Sequence, residues 1–354
     1  IDEHDEESTA LIWRGRTITY GSLRDQVAHV RGGLREAGVG PGDGVALLLG
    51  NCPHFVVAYL ATIGIGAVVV PLNPTSPGPE LEVELGTARP TTVIVDKVSV
   101  ANWSHVDRGL VPTVTNVVAV DDDVAALVDG PCSTFDDLGE APAADIVEVE
   151  PDTIAALMFT SGTAGAPRAA MLTHANLAAN LEQSRSADGH IDADDVLYGV
   201  LPMFHIFGLN VVIGLGLTVG ATIVLVQRFD PATAAQSILD RGVTVVPGAP
   251  AMWAAFAHFE ELDRATFASV RLALSGASRL PVTVAEAMRD RFGIEIREGY
   301  GLTEASPIVT TSTGIAVRFG SVGRALEGVE VRLVTRDGDA LVGDVGEIWV
   351  RGPN

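Results

Sequence analysis

The stretch that decides the fold is Met158-Phe-Thr-Ser-Gly-Thr-Ala-Gly-Ala-Pro-Arg-Ala-Ala-Met-Leu-Thr-His174. The apolar run that leads into it, from Ile154 to Phe159, predicts a short buried strand. The strand gives way to hydroxyl and glycine residues of little bulk, Thr160 to Gly165. Glycines let successive backbone N–H groups turn toward one point, and hydroxyls add donors, so the loop suits a polyphosphate. A flexible surface turn is the competing interpretation, and no Gly-Lys-Ser/Thr closes the loop as in a Walker A sequence.

The residues that follow the loop predict a helix that begins with Thr173 as its N-cap. The loop itself resembles the phosphate loop of the adenylate-forming superfamily, which includes acyl-CoA synthetases, luciferases and peptide-synthetase adenylation domains. The usual pattern is Thr-Ser-Gly-Thr-Thr-Gly-x-Pro-Lys-Gly, and here Ala164 replaces a threonine, Arg168 the lysine and Ala169 a glycine. Arg168 keeps the positive charge without the compact ammonium. The resemblance implies that Thr163 and Arg168 are catalytic. It implies nucleotide contacts for Thr160, Ser161, Gly162, Thr163, Ala164, Gly165 and Arg168.

A second motif, Glu298-Gly-Tyr-Gly-Leu-Thr-Glu304, lies far downstream. A tyrosine between glycines offers a flat face for a purine, and a carboxylate suits Mg²⁺, which keeps most of its waters and bridges to phosphates. Alone the motif indicates no more than a turn with an incidental tyrosine. Its combination with the upstream loop is specific for the adenylate-forming superfamily. By resemblance, Tyr300 stacks on adenine, Thr303 meets the α-phosphate, and Glu304 holds magnesium and is catalytic. The remaining nucleotide contacts implied by the motif are Glu298, Gly299, Gly301 and Leu302.

Three shorter segments resemble other parts of the same site. Ser275-Gly276-Ala277-Ser278 follows a predicted strand and is similar to the loop between adenine and the acyl group; it is not a Gly-x-Ser-x-Gly elbow, which disfavours a serine hydrolase. The segment from Pro202 to Gly208 resembles the mouth of the acyl pocket. It implies that His205, a catalytic and substrate-binding residue, lies near the carboxylate, although a packed histidine is the alternative. Further implied substrate contacts are Phe207, Ala277 and Gly299. By resemblance, the positively charged Arg228 contacts a phosphate of CoA. The alternative is that Arg228 is a surface arginine without a binding role.

Composition limits the possible functions. The 354 residues carry a formal net charge of −22, which argues against a sequence-independent nucleic-acid binder, while a 47% hydrophobic content supplies a large core. The two cysteines, Cys52 and Cys132, form no CxxC pair, so neither a zinc site nor a disulfide scaffold is expected. The acidic first residues do not resemble a signal peptide, and we expect a cytoplasmic protein. Residues 207–226 carry no charge over the length of a membrane span, but their glycines favour a buried helix–turn–strand unit.

The fold predicted from hydrophobic periodicity is α/β, with two αβ lobes of mostly parallel sheets covered by helices. We expect the first lobe at 1–150, the second at 151–318, and the start of a small β-barrel subdomain at 319–354. Residues 121–150 are expected to be a solvent-exposed excursion. The predicted helices are 21–37, 51–65, 80–87, 174–186, 208–218, 231–241, 250–258 and 281–291. After a hairpin at 11–20, the predicted strands are 45–49, 68–71, 93–95, 117–120, 154–159, 196–200, 221–226, 243–246, 271–274, 294–296, 329–334 and 347–351.

The resemblance covers nearly the whole chain, but the chain is expected to cover only most of a large N-terminal adenylation domain. Gly320–Arg324 and Gly343–Pro353 match segments that lead toward a ribose-binding aspartate, and Asn354 precedes the place where that aspartate is expected. The C-terminal domain, whose lysine assists adenylation, is likewise expected to lie outside the chain. These 354 residues alone are therefore expected to be poorly active.

The activity that the resemblance implies is an acid–thiol ligase. A carboxylic acid attacks Mg·ATP to give acyl-AMP, and the thiol of CoA then displaces AMP. The candidate pocket segments 207–217, 248–256 and 275–278 are apolar and lack an aspartate for an amino-acid substrate, so we expect a fatty acid. A coumarate-like aryl acid, transfer to a carrier protein by a fatty acyl-AMP ligase, and a non-catalytic nucleotide-binding pseudo-enzyme stay open, as does a homodimer. The implied ligands are the acid, ATP, Mg²⁺ and CoA.

Overall fold

The computed structural model describes residues 1–160, 167–335, 338 and 345–354. In chain order the strands are β1 Thr9–Trp13, β2 Arg16–Thr19, β3 Gly44–Leu48, β4 Val68–Pro71, β5 Thr92–Val95, β6 Asn116–Ala119, β7 Ser133–Thr134, β8 Ile154–Thr160, β9 Arg168–Thr173, β10 Val196–Gly199, β11 Thr222–Leu225, β12 Val245–Gly248, β13 Leu272–Ser275, β14 Ile296–Gly301, β15 Ile308–Thr311, β16 Arg324–Ala325, β17 Glu330–Val334 and β18 Glu347–Arg351. The helices are α1 Tyr20–Glu36, α2 Pro53–Gly64, α3 Gly78–Ala88, α4 Val100–Trp103, α5 Asp122–Ala125, α6 Phe135–Gly139, α7 His174–Arg185, α8 Gly216–Val219, α9 Pro231–Arg241, α10 Pro250–His258 and α11 Val282–Phe292. A π-helix at Phe207–Leu215 leads into α8, and short 3₁₀ turns lie at Ala265–Phe267 and Thr303–Ala305.

The first sheet has the strand order β7-β6-β5-β3-β4-β8-β9. All its neighbours are parallel except β8 and β9, which form an antiparallel hairpin. Its central strands are apolar along their whole length; every residue of β3 is buried, because helices cover both faces. The sequence pattern predicted this parallel, helix-covered sheet, and the structure confirms it.

The second sheet has the order β16-β15-β14-β13-β12-β10-β11-β1-β2. The strands from β14 to β1 are parallel, and antiparallel strands complete both edges. The chain passes from β10 to β11 on one side and then returns to β12 on the other side of β10. Loops at the carboxyl ends of strands diverge at such a reversal, and ligands bind there in open α/β sheets.

The two sheets exchange strands, so the expected division at residue 150 does not describe their composition. The hairpin β1–β2 belongs to the second sheet, where Leu11 pairs with Ile223, and β8–β9 belongs to the first. The Tyr20 hydroxyl secures the exchange by donating to the buried Ala221 carbonyl at 2.8 Å. Pairing between segments so distant in sequence leaves no local pattern from which it could be predicted.

Three other predictions need correction. Residues 121–150 are not wholly an exposed excursion, because Phe135 and Leu138 are buried and α6 packs on α1, where Gly33 lies too close to Leu138 for any side chain. Strand β9 was not predicted. Strand β14 runs on to Gly301, where a loop was expected.

The uncharged segment 207–226 forms the π-helix, α8 and β11, packed into the core. None of the helices in the described ranges has the length and apolarity needed to cross a membrane. The expected barrel start corresponds to a two-stranded antiparallel sheet of β17 and β18, and no closed barrel is found among the described residues.

Candidate functional site

A cavity of about 160 Å³ lies at the carboxyl ends of β13 and β14, where the chain enters the π-helix. Its position obeys the rule for ligand sites in parallel sheets, since strand ends and the following loops form its walls. The cavity is lined by His205, Ile206, Phe207, Val211, Leu274, Ser275, Gly276, Ala277, Arg297, Gly299, Tyr300, Gly301, Leu302, Thr303, Pro307, Ile308, Thr310 and Thr311. The structure therefore brings together residues from three of the motifs that the sequence singled out.

The wall from β13 carries two features of a binding surface. The Ser275 hydroxyl is buried and has no hydrogen-bond partner among the described residues, although buried polar groups normally find one. Ala277 follows in the left-handed conformation with φ of 67°, which turns the chain sharply around the cavity. A side chain at Gly276 would begin 3.1 Å from the Phe207 ring, so glycine permits the two walls to touch.

In the wall formed by β14, the backbone of Gly301 packs directly against the backbone of Pro307. A Cβ atom on Gly301 would lie 2.2 Å from the Pro307 carbonyl oxygen, a distance that only glycine allows. Tyr300 is half-buried between the two glycines, and its N–H donates to the Thr310 hydroxyl at 3.3 Å. Strand pairing thus holds the backbone of Tyr300, where a loop was expected.

His205 lies at the cavity mouth in the turn between β10 and the π-helix. Its Nδ1 accepts from the Phe207 N–H at 3.2 Å, which leaves Nε2 to carry the proton of the neutral ring. Removal of water by the surrounding walls lowers the pKa of His205 below its ordinary value, although part of the ring stays exposed. The lowered pKa favours the neutral ring, in which Nε2 is available as a hydrogen-bond donor.

Several predicted site residues do not line the cavity. Glu298 points away from it, because its buried carboxylate accepts from the Gly320 N–H at 3.3 Å and its carbonyl accepts from Ser312. Glu304 is exposed on the 3₁₀ turn just beyond Thr303. Ser278 and Arg228 are also exposed. The structure thus separates a buried structural carboxylate, Glu298, from a free one, Glu304.

The predicted phosphate loop connects β8 to β9. Thr160 and Arg168 face each other across this hairpin, and the Thr160 hydroxyl donates to the Arg168 carbonyl at 3.4 Å. Arg168 is exposed. The predicted N-cap Thr173 is confirmed: it forms a capping box with Asn176 at the start of α7. The other predicted loop residues, Ser161, Gly162, Thr163, Ala164 and Gly165, lie outside the described residues.

Sequence analysis missed Arg297, which lines the cavity from β14. Its guanidinium group donates to the Ile315 carbonyl and lies 3.6 Å from the Glu295 carboxylate, and its side chain is 25% exposed. Arg297 and Gly299 are two residues apart on one strand and therefore face the same side. Extending the predicted strand by one pleat would have identified Arg297, but the Gly-Tyr-Gly sequence suggested that the strand had ended.

A smaller cavity of about 60 Å³ lies behind the first and shares part of its wall. The shared residues are Val211, Leu274, Ile308 and Thr311. Beyond them the inner cavity is mainly apolar, with Leu215, Leu272 and Leu326 among its lining residues. A ligand that fills the first cavity would meet this shared wall at its inner end.

The residues present fit a nucleotide and a magnesium ion. The unpartnered Ser275 hydroxyl and the glycine-lined wall leave room and a hydrogen-bonding group for a polar ligand. No cluster of three or more potential metal ligands occurs among the described residues, and Glu304 has no ion pair there. A single free carboxylate is what Mg²⁺ needs when phosphates and waters complete its shell.

Several known proteins are similar to this chain in fold and in sequence. The chain is 32% identical over 359 residues to 4-coumarate–CoA ligase 1 from Arabidopsis thaliana; the match covers 96% of this chain and 63% of that enzyme. The structure of ATP-bound MatB from Rhodopseudomonas palustris matches with a TM-score of 0.89 at 29% identity, over 99% of this chain and 68% of MatB. The structure of the anthranilate CoA ligase AuaEII in complex with anthranoyl-AMP matches with a TM-score of 0.90 at 25% identity. That match covers 98% of this chain and 67% of AuaEII.

The family itself is established by a model described as AMP-binding enzyme, which matches residues 2–354. The match includes both motifs that carried the resemblance, the Thr160–Arg168 loop and the Glu298–Glu304 segment. The predicted kinship with adenylate-forming enzymes is thereby confirmed. This chain belongs to the AMP-binding enzyme family.

Proposed function

We propose that the protein activates a carboxylic acid with ATP and transfers the resulting acyl group to CoA. The observation that carries the proposal is that one cavity joins His205, the Ser275–Ala277 loop and the Gly299–Thr303 segment. The 4-coumarate–CoA ligase relative and the ATP-bound and anthranoyl-AMP-bound neighbours support the same chemistry. Because the chain spans 63% of the plant enzyme's length, the proposal concerns the protein to which these residues contribute.

In the proposed first step, a carboxylate oxygen attacks the α-phosphorus of ATP, and the bond from that phosphorus to the pyrophosphate oxygen breaks. His205 donates from Nε2 to an oxygen of the acid and so orients it, while Thr303 meets the α-phosphate. The loop between Thr160 and Arg168 holds the leaving pyrophosphate, with the Arg168 charge opposing its negative charge. Such catalysis depends on positioning and charge neutralisation rather than on proton transfer.

Glu304 is the residue we assign to magnesium, and the bound ion supplies charge neutralisation at the phosphates. In the second step the thiolate of CoA attacks the acyl carbon, the acyl–phosphate bond breaks, and AMP leaves. Arg228, exposed after β11, is the candidate contact for a CoA phosphate. Neither Glu304 nor Arg228 lines the cavity, so we assign the cavity itself to the acid and the adenylate.

For the acid we favour an aryl acid with a polar substituent over the fatty acid expected from the sequence. Arg297, Thr310 and Thr311 line one side of the cavity, and although their polar groups are hydrogen-bonded to the protein, this side is less suited to an alkyl chain than an aliphatic wall would be. The named relatives include a coumarate and an anthranilate ligase, which favours the same class. A fatty acid stays the second candidate because the inner cavity, behind Val211 and Leu274, is apolar.

The test is a thermal shift of the chain with stable acyl-sulfamoyl-adenosine analogues. One series carries alkyl chains of increasing length, and another carries benzoyl, anthraniloyl and coumaroyl groups, with Mg·ATP as reference. A ligand that binds only the native state raises the melting temperature in proportion to the logarithm of its affinity. The largest rise is expected with an aryl analogue, and a rise that grows steadily with alkyl length would return the assignment to fatty acids.

The same assay addresses the pseudo-enzyme and carrier-protein alternatives. Shifts by adenylate analogues combined with no pyrophosphate release by the complete protein would indicate binding without catalysis. The Arg168→Lys variant then separates a decayed loop, in which activity rises strongly, from a tolerated substitution. Acyl-AMP formation without transfer to CoA would indicate a carrier-protein acceptor.

A further inference from the structure

The segment that carries His205 is held by a side chain from the other sheet. Asn51, just beyond the carboxyl end of β3, is only 5% exposed. Its amide Nδ2 donates to the carbonyls of Gly199, Leu201 and Val226 at 3.2, 2.9 and 3.1 Å. Its Oδ1 accepts from the Met203 N–H at 3.0 Å. One buried amide therefore uses both its donors and its acceptor on backbone groups 148 to 175 residues away in sequence.

These contacts meet the carboxyl edges of both sheets. Gly199 ends β10 and Val226 follows β11, so Asn51 joins the first sheet to the edge of the second at which ligands are expected. The other two contacts, to Leu201 and Met203, lie in the turn that precedes His205. This turn belongs to no strand or helix, and its own hydrogen bond runs from the His205 N–H to the Pro202 carbonyl at 3.1 Å.

We propose that Asn51 is a positioning residue for His205. Asn51 fixes the Leu201–Met203 turn, and this turn fixes where the His205 imidazole meets the acid at the cavity mouth. The proposal rests on the proposed function, because it assumes that His205 contacts the acyl group of the bound adenylate. A short amide suits this position because a buried backbone N–H and several carbonyls need partners there at the same time.

The test compares the affinities of two ligands for the chain by calorimetry: the best acyl-sulfamoyl-adenosine of the thermal-shift series, and sulfamoyl-adenosine without the acyl group. Asn51→Ala should weaken the acylated ligand by about 10-fold, the loss of one well-placed hydrogen bond, while the unacylated ligand changes by less than about 2-fold. His205→Ala should produce the same selective loss. In the double variant the losses should not add, since both remove the same contact.

The matched control is Asn102→Ala. Asn102, in α4, also donates its amide to a backbone carbonyl, that of Pro74 at 3.3 Å, but it is remote from the cavity-lining residues. This variant should leave both affinities unchanged. If Asn51→Ala lowers the melting temperature but weakens both ligands equally, or leaves both unaffected, Asn51 has a structural role only and the proposal is overturned.

A measurement on the unaltered chain covers the case in which Asn51→Ala does not fold. Hydrogen exchange of the Met203 amide should be slow and should slow further with the acylated ligand but not with the unacylated one. No response of this amide to the acylated ligand would overturn the proposal. Absence of binding by any adenylate analogue to the unaltered chain would instead refute the proposed function, so the two failures are distinguishable.

Discussion

The walls of the cavity are held in two different ways. The β13 and β14 wall, with Ser275 at the end of one strand and Gly299–Gly301 on the next, is fixed by strand pairing. The Leu201–Met203 turn is fixed by the side-chain amide of buried Asn51. The Ser306–Ile308 segment, which leads into β15, is held by the amides of Asn180 and Asn210 in addition to the pairing of Ile308 with Gly301. Strand pairing spreads its support over many backbone groups, whereas an asparagine concentrates it in one side chain. Removal of a single side chain should therefore damage the amide-held turns more than the strand-held wall.

The amide-held turn at Ser306–Ile308 illustrates the second kind of wall. Asn180, on α7, brackets Ile308 by donating to its carbonyl at 2.8 Å and accepting from its N–H at 3.3 Å. Asn210, in the π-helix, donates to the Ser306 carbonyl at 2.6 Å. Both asparagines are 1% exposed. Since α7 follows directly on β9, this wall is supported by the helix that leaves the predicted phosphate loop.

The largest effect is expected where the two kinds of wall touch. Gly301→Ala would place a Cβ atom 2.2 Å from the Pro307 carbonyl oxygen and 2.9 Å from its carbon. Because backbone cannot yield as a flexible side chain can, we expect a loss of about 3 kcal/mol in the free energy of unfolding and a weakened adenylate site. Urea denaturation and the binding assay measure the two effects.

Gly139→Ala is the matched control for this prediction. Gly139 ends α6, is exposed, and has no atom near the position of an added Cβ. The control should change stability by less than about 1 kcal/mol, in either direction. If Gly301→Ala behaves like Gly139→Ala, the strand wall is not packed against the Pro307 turn as described.

A smaller effect is expected from Asn180→Ala, which removes both side-chain bonds to Ile308. The Ile308 carbonyl keeps the Asn354 amide as a partner at 3.0 Å, so the loss should be about 1–2 kcal/mol rather than the sum of two bonds. The binding of acylated ligands should weaken more than that of sulfamoyl-adenosine, because Ile308 lines the inner end of the cavity.

The exposed amide Gln26 on α1 provides the comparison for Asn180. Its Nε2 donates to the Ser22 hydroxyl in the same helix, so Gln26→Ala should cost less than about 0.5 kcal/mol. Equal losses for the two variants, measured by urea denaturation, would mean that burial of Asn180 adds nothing and that the amide-held wall needs another explanation.

The same contrast separates what the sequence predicted from what it did not. Local patterns identified the parallel strands and the N-cap Thr173, because strand periodicity and turn chemistry depend on neighbouring residues, whereas Ser275 and Tyr300 were assigned to the site by the resemblance of their motifs to a family. The roles of Asn51 and Asn180 could not be predicted, since each depends on backbone groups brought close only by the fold. Arg297 was missed for a related reason: the pairing of β14 with β15, which extends the strand beyond Ile296 along the cavity, depends on residues brought close only by the fold.

The smallest effect is expected at Ser275 in the strand-held wall, where one substitution should change stability and ligand binding in opposite directions. The Ser275 hydroxyl is buried without a partner in the part of the chain that the structure describes. Ser275→Ala therefore removes an unsatisfied polar group and should leave the ligand-free chain as stable or more stable, by at most about 1 kcal/mol. If the hydroxyl is kept for a ligand, the same variant should weaken the binding of adenylate analogues several-fold. Thermal shifts with and without ligand measure both signs in one experiment. A variant that loses stability without ligand would show that the hydroxyl already has a partner in the fold, and unchanged ligand shifts would assign the strand-held wall a purely spatial role.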